Sequence, residues 1–123
     1  MSNPLALIIE DDSKLAYLFA EALQMAEFET ETIQNGQIAL DRLAVTVPTV
    51  VVLDLHLPDL SGSDILAYIR SDQRLDPTRV MIVTADAFKA EHLRSEADLV
   101  LLKPVSLIQL STLASRLRPL SAA

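Results

Sequence analysis

Four times in this chain a run of four or five apolar residues, unbroken by any polar side chain, stops at a residue that carries a charge or a hydroxyl. Leu5-Ala6-Leu7-Ile8-Ile9 runs into Glu10 and Asp11, Val50-Val51-Val52-Leu53 into Asp54, Val80-Met81-Ile82-Val83 into Thr84, and Leu99-Val100-Leu101-Leu102 into Lys103. Short continuous apolar runs are what strands covered on both faces require, as in a parallel sheet. Parallel neighbours need a long crossover, usually a helix, so the intervening segments should be helical.

The spacing of apolar residues agrees. Leu15, Leu18, Phe19, Ala22, Leu23 and Ala26 recur three and four apart, which gives one apolar face to a helix over 13–26. A weaker strand over 28–32 follows, then a helix over 36–44 that turns Ile38, Ala39 and Leu43 inward and stops at Pro48. Beyond the loop His56-Leu57-Pro58-Asp59-Leu60-Ser61-Gly62, Ser61 and Asp64 have the spacing of a capping box and open a helix that buries Ile65, Leu66 and Ile69. A helix over 88–95 has little but Phe88 and Leu93 to bury. Ser106 with Gln109 forms a second capping box, opening a helix through Leu107, Leu110, Leu113, Ala114 and Leu117. The tail 119–123 is expected to fray.

Five strands alternating with five helices imply an α/β sandwich around a parallel sheet. In such sheets a ligand binds outside the carboxyl ends of the strands, where strand order reverses. If the order is 2-1-3-4-5, Glu10, Asp11, Asp54, Thr84 and Lys103 meet at one edge. Three carboxylates so placed repel one another strongly and call for a positive charge among them. A hard cation with oxygen ligands fits: Mg²⁺, with Mn²⁺ as a substitute. Phosphoryl transfer uses such a site, with Asp54 as nucleophile and the metal, Lys103 and the Thr84 hydroxyl neutralising charge on the phosphoryl oxygens.

Taken singly these residues are weak signals. Asp11 or Asp12 could be a helix-capping acid, Lys103 a surface lysine and Thr84 a β-branched strand residue. Asp12 keeps the capping role. His56 and His92 have no histidine partner that would suggest zinc, and both are read as surface side chains. A net charge of −7, with only 10 scattered Lys and Arg residues, argues against nucleic-acid binding. The absence of cysteine excludes disulfides, thiolate nucleophiles and zinc-cysteine sites. No apolar stretch is long enough to insert in a membrane, and Met1-Ser2-Asn3-Pro4 lacks a signal-peptide pattern, so a cytoplasmic location is expected.

Together, Ile8-Ile9-Glu10-Asp11-Asp12, Asp54-Leu55-His56-Leu57-Pro58 with Gly62, Val83-Thr84-Ala85 and Lys103-Pro104 resemble the receiver domains of bacterial two-component response regulators, nearly end to end. The resemblance implies a flavodoxin-like doubly wound (βα)5 three-layer sandwich with a parallel five-stranded sheet of order 2-1-3-4-5. Residues 1–123 would form a single receiver domain with no output domain. It implies that Asp54 is the phosphoacceptor, that Glu10, Asp11, Asp54 and the His56 backbone carbonyl hold the metal, and that Thr84 is the switch hydroxyl. Lys103 would pair first with the acceptor and then with the phosphate, through a bond to Pro104 that is usually cis in this family. The chain would be a regulatory phosphoacceptor that assists only its own phosphotransfer and dephosphorylation. Its donor would be a histidine kinase or a histidine phosphotransfer protein, and its target an unidentified downstream protein; self-association into a homodimer stays open.

Three departures bear on the switch. Val100 stands where the family usually has Tyr or Phe, whose ring swings inward as the hydroxyl moves. Glu96 stands where Gly commonly precedes Ala-Asp, and the stretch from Thr84 to Lys103 is slightly short, so an unusual fourth helix is expected. His56 and Asp86 occupy the two positions that tune phosphoryl lifetime in the family. Two alternatives are carried: a degenerate receiver acting only as an interaction module, and a phosphohydrolase of the haloacid dehalogenase type. The latter normally has a second acid two residues after its nucleophile, where this chain has His56.

Overall fold

A computed structural model describes residues 3–119 of the chain. Of the tail expected to fray, 120–123 lie outside the described residues. The apolar runs form strands β1 (Leu5–Ile9), β2 (Glu29–Ile33), β3 (Val50–Leu53), β4 (Arg79–Thr84) and β5 (Leu99–Leu102). Between and after them come helices α1 (Ser13–Met25), α2 (Gly36–Leu43), α3 (Gly62–Ser71), α4 (Ala87–Leu93) and α5 (Leu107–Ser115). All strands are parallel, in the order β2-β1-β3-β4-β5. None of the helices is long and apolar enough to cross a membrane among the described residues.

Strand side chains alternate between faces, so each apolar run supplies two cores. Ala6, Ile8, Val50, Val52, Met81 and Val83 pack under α1 and α5, against Phe19, Leu23, Leu110 and Ala114. Leu7, Ile9, Val51, Leu53, Val80 and Ile82 pack on the opposite face against Ala39 and Leu43 of α2 and Ile65, Leu66 and Ile69 of α3. This is the three-layer sandwich. Each fully buried Leu or Ile contributes about 1.5–3 kcal/mol relative to exposure, which holds the strand ends in register.

The expected inward faces need three corrections. Ile38 and Leu18 are exposed because α2 packs through Ala39 and Leu43 and α1 through Phe19, Ala22 and Leu23; each lies one residue, or about 100°, off its buried stripe. Phe88 is 78% exposed: α4 seats Ala90 instead and leaves the Phe88 ring outside, 4.5 Å from that of His92. The first capping box also differs, since the Ser61 hydroxyl accepts from the Ser63 N–H rather than from that of Asp64. At Ser106 the expected bond from the Gln109 N–H is made.

At the opposite pole from the strand ends, Asp98 ties the short α4–β5 connection to β4. Its carboxylate accepts the Val80 N–H (2.7 Å), Arg70 (3.0 Å) and Arg79 (3.0 Å), while Arg70 also donates to the Glu96 carbonyl (2.7 Å). Burial acts to raise the Asp98 pKa, but the Val80 N–H and the two guanidinium groups outweigh it and hold the group below its ordinary 3.8. A depressed folded pKa gives stability that is present above the unfolded value and lost as pH falls through the folded one. Asp98→Asn should therefore cost about 2 kcal/mol at neutral pH, with the difference from wild type shrinking below pH 3.8 in urea unfolding at stepped pH.

Candidate functional site

Sheet register brings the chain-distant residues together. Leu53 lies opposite Ile9 on one side and Ile82 on the other, so the residues that follow, Asp54 and Glu10, leave adjacent strands side by side. The Asp54 N–H donates to the Ile9 carbonyl (3.0 Å) and the Glu10 N–H to that of Ile33 (3.0 Å), extending the ladders one residue past the strands. Thr84 ends β4 beside Leu102, and the Lys103 N–H donates to the Thr84 carbonyl (2.9 Å). The Lys103-Pro104 peptide is cis.

Ligand oxygens of Glu10, Asp11 and Asp54 lie within 4.8 Å of one another. Glu10 and Asp54 are only 1% and 5% exposed, whereas Asp11 faces solvent. The Lys103 ammonium enters this group, 2.7 Å from Glu10 Oε1 and 3.6 Å from Asp54 Oδ2. Glu10 Oε2 accepts the Asp12 N–H (3.2 Å). Burial raises the Glu10 pKa; the Lys103 ammonium and the Asp12 N–H oppose this and the Asp54 charge adds to it, leaving the group above its ordinary value. For Lys103 burial disfavours the charged form, yet the Glu10 hydrogen bond and the two carboxylate charges prevail and the ammonium is held more firmly than usual.

Five of the six residues read from the sequence thus contribute side chains at or beside the strand ends. Thr84 is fully buried there, its hydroxyl accepting the Asp86 N–H (3.1 Å). The sixth, His56, holds its ring outward, hydrogen-bonded to Asp86 Oδ2 (3.1 Å). Asp12 caps α1, accepting from the Lys14 and Leu15 N–H groups. His92 is exposed on α4.

Gly62 explains itself by contact. A Cβ there would lie 2.3 Å from the Asp54 carbonyl oxygen and 2.7 Å from Leu55 Cα, so only glycine lets α3 start against the backbone of the acidic strand end.

Sequence reasoning missed the bracing roles of three residues around this edge. Asp86 caps α4 by accepting the Lys89 N–H (2.9 Å), and an acid just before an apolar-periodic segment could have signalled that role. Asp59 accepts the Gly36 (2.7 Å) and Gln37 (2.9 Å) N–H groups, bracing the β3–α3 loop against α2. These bonds hold its carboxyl below the ordinary range. Lys89 donates to the Ser61 hydroxyl (2.9 Å), and no local pattern predicts that pairing.

Two stability outcomes follow. Asp54→Asn removes one of three clustered charges and should raise the melting temperature in metal-free buffer by a few degrees, about 1 kcal/mol, in calorimetry. Gly62→Ala must displace backbone and should lower unfolding free energy by about 2 kcal/mol in denaturant titration.

Comparison with known proteins agrees with the geometry. The sequence pattern of the family described as the response regulator receiver domain matches residues 6–115. The polar-differentiation response regulator DivK of Brucella anthropi is 31% identical over 88 residues, covering 72% of this chain and 72% of DivK. The regulatory protein AtoC of Escherichia coli is 31% identical over 111 residues, covering 89% of this chain but 24% of AtoC. The chain thus spans about a quarter of that longer protein. A CheY-like response regulator receiver domain from Methylobacillus flagellatus superposes with a TM-score of 0.82 at 27% identity, covering 95% of this chain and all of that one. With its family match spanning both cores and the strand-end acids, this chain belongs to the response regulator receiver domains, the phosphorylation-dependent switches of two-component signalling.

Proposed function

We propose that Asp54 is the phosphoacceptor of this switch and that Lys103, Thr84 and a divalent cation serve it. The observation that carries the reading is the Lys103 ammonium seated between Glu10 and Asp54 at 2.7 and 3.6 Å, in a cluster whose three carboxylates outnumber it. That donor set is all hard oxygen with a surplus of negative charge, which suits Mg²⁺ and also Mn²⁺. Glu10, Asp11, Asp54 and the His56 carbonyl would hold the ion. When bound, it neutralises charge on the phosphoryl oxygens.

The chain's own part is positioning. An Asp54 carboxylate oxygen attacks phosphorus, the bond from phosphorus to the donor imidazole nitrogen breaks, and the imidazole leaves with its electron pair and takes up a proton. Lys103, freed from sole attention to two carboxylates, pairs with the new phosphoryl group. The buried Thr84 hydroxyl keeps its proton to donate to a phosphoryl oxygen. A histidine kinase or a histidine phosphotransfer protein in the cytoplasm would be the donor, and a downstream protein would read the altered surface. The haloacid dehalogenase reading is not favoured, because the second residue after Asp54 is a histidine whose ring is turned outward to Asp86.

With labelled acetyl phosphate and Mg²⁺, wild type should incorporate one phosphoryl group. Asp54→Asn should incorporate none, and chelation should abolish labelling of wild type. Equal labelling of both proteins would refute the assignment.

A further inference from the structure

We infer that Asp86 and Lys89 are positioning residues for the pocket: they clasp the β3–α3 loop to the start of α4 and so couple metal occupancy to the order of that helix. The inference rests on the reading above for one thing, the His56 carbonyl as a ligand. Everything else is contact geometry.

The loop between Asp54 and α3 is closed on itself. Its ends are closed by the Gly62 N–H on the Leu55 carbonyl (2.9 Å), and His56 lies opposite Ser61 in a short antiparallel bridge. Two cross-links then run from this unit to the β4–α4 segment: the Lys89 ammonium to the Ser61 hydroxyl (2.9 Å) and Asp86 to the His56 ring (3.1 Å). They share a root, because the other Asp86 oxygen accepts the Lys89 N–H (2.9 Å) and the Asp86 N–H is held by the buried Thr84 hydroxyl (3.1 Å). The clasp thus spans from the strand end that carries Thr84 to the loop that carries His56.

Two observations argue that these contacts matter. First, α4 has only 7 residues and a single fully buried side chain, Ala90, so packing alone holds it weakly and two polar links are a large part of what fixes it. Second, Lys89 is half-buried and makes no ion pair among the described residues, although the chain has 17 acids; it is committed to a neutral hydroxyl on the loop. A lysine placed for solubility would stay in water. A shift of the loop that seats an ion on the His56 carbonyl must be shared with α4, and by linkage an ordered α4 must favour the ion equally.

Calorimetric Mg²⁺ titration of wild type, Ser61→Ala, Lys89→Met and the double variant tests this. Removing the Lys89 charge by itself would favour a cation, but that effect persists in the Ser61→Ala background, so the cycle isolates the contact. The double variant should bind about five-fold tighter than the product of the two single effects predicts, because the second change has no bond left to remove. Lys89→Arg, which keeps a donor, should behave nearly as wild type. Hydrogen exchange over 87–93 should slow on adding Mg²⁺ to wild type and not to Lys89→Met. An additive cycle, or equal protection of α4 in both proteins, overturns the clasp while leaving the phosphoacceptor reading intact. A wild type that binds no Mg²⁺ overturns the pocket reading and the clasp with it.

Discussion

Two carboxylates, Glu10 and Asp54, are held almost wholly out of water at neighbouring strand ends, and the Lys103 ammonium is what makes their burial tolerable. Taking a charge out of water costs several kcal/mol after relaxation, and the two acids also repel each other. Lys103 starts from β5, three strands away from Glu10 on β1. At the usual strand spacing that is about 14 Å along a flat edge, beyond a lysine's reach. The chain after β5 must therefore turn in over the edge, and it bends at Lys103 and Pro104, where the last ladder bond joins the Lys103 N–H to the Thr84 carbonyl. The sheet order, the loop after β5 and the ion pair are one constraint seen at three scales.

The surplus of negative charge left over is a functional asset. One ammonium among three carboxylates stabilises the folded pocket without satisfying it, so a second cation still gains by entering. Glu10 is the most committed of the three, with one oxygen on Lys103 and the other on the Asp12 N–H. Asp11 is exposed to solvent.

Most of the architecture was legible because burial on both faces leaves an unambiguous trace. β1, β3, β4 and β5 begin or end within a residue of their apolar runs, and what ends each run is the site. Helix faces were less legible. Ile38, Leu18 and Phe88 are apolar and near the right phase, but a helix buries only the stripe its neighbours can reach, and a one-residue offset is invisible to composition. Least legible were the polar braces, Asp59 to α2, Lys89 to Ser61 and Asp98 to both arginines, since each joins segments 18 or more residues apart.

Two of the departures from the family pattern, Glu96 and Val100, acquire different meanings in three dimensions. Glu96 replaces a glycine, yet its backbone carries no positive φ, and its carbonyl is the acceptor for Arg70, which reaches on to Asp98. The latch replaces conformational freedom with hydrogen bonds, so a side chain at 96 is accommodated. Val100 is another matter: it lies opposite Ile82 and packs partly into the α2–α3 core, contributing a branched aliphatic group where no ring is available to rotate. Under the role proposed for Thr84, a signal leaving it would travel by contacts other than aromatic repacking. The Thr84 hydroxyl is already joined to Asp86, which caps α4, so the shortest physical route from the pocket to the surface is the helix start itself. Because α4 is short and thinly packed, a small change in those few bonds is a large fraction of what keeps it in place, which is the property a switch element needs.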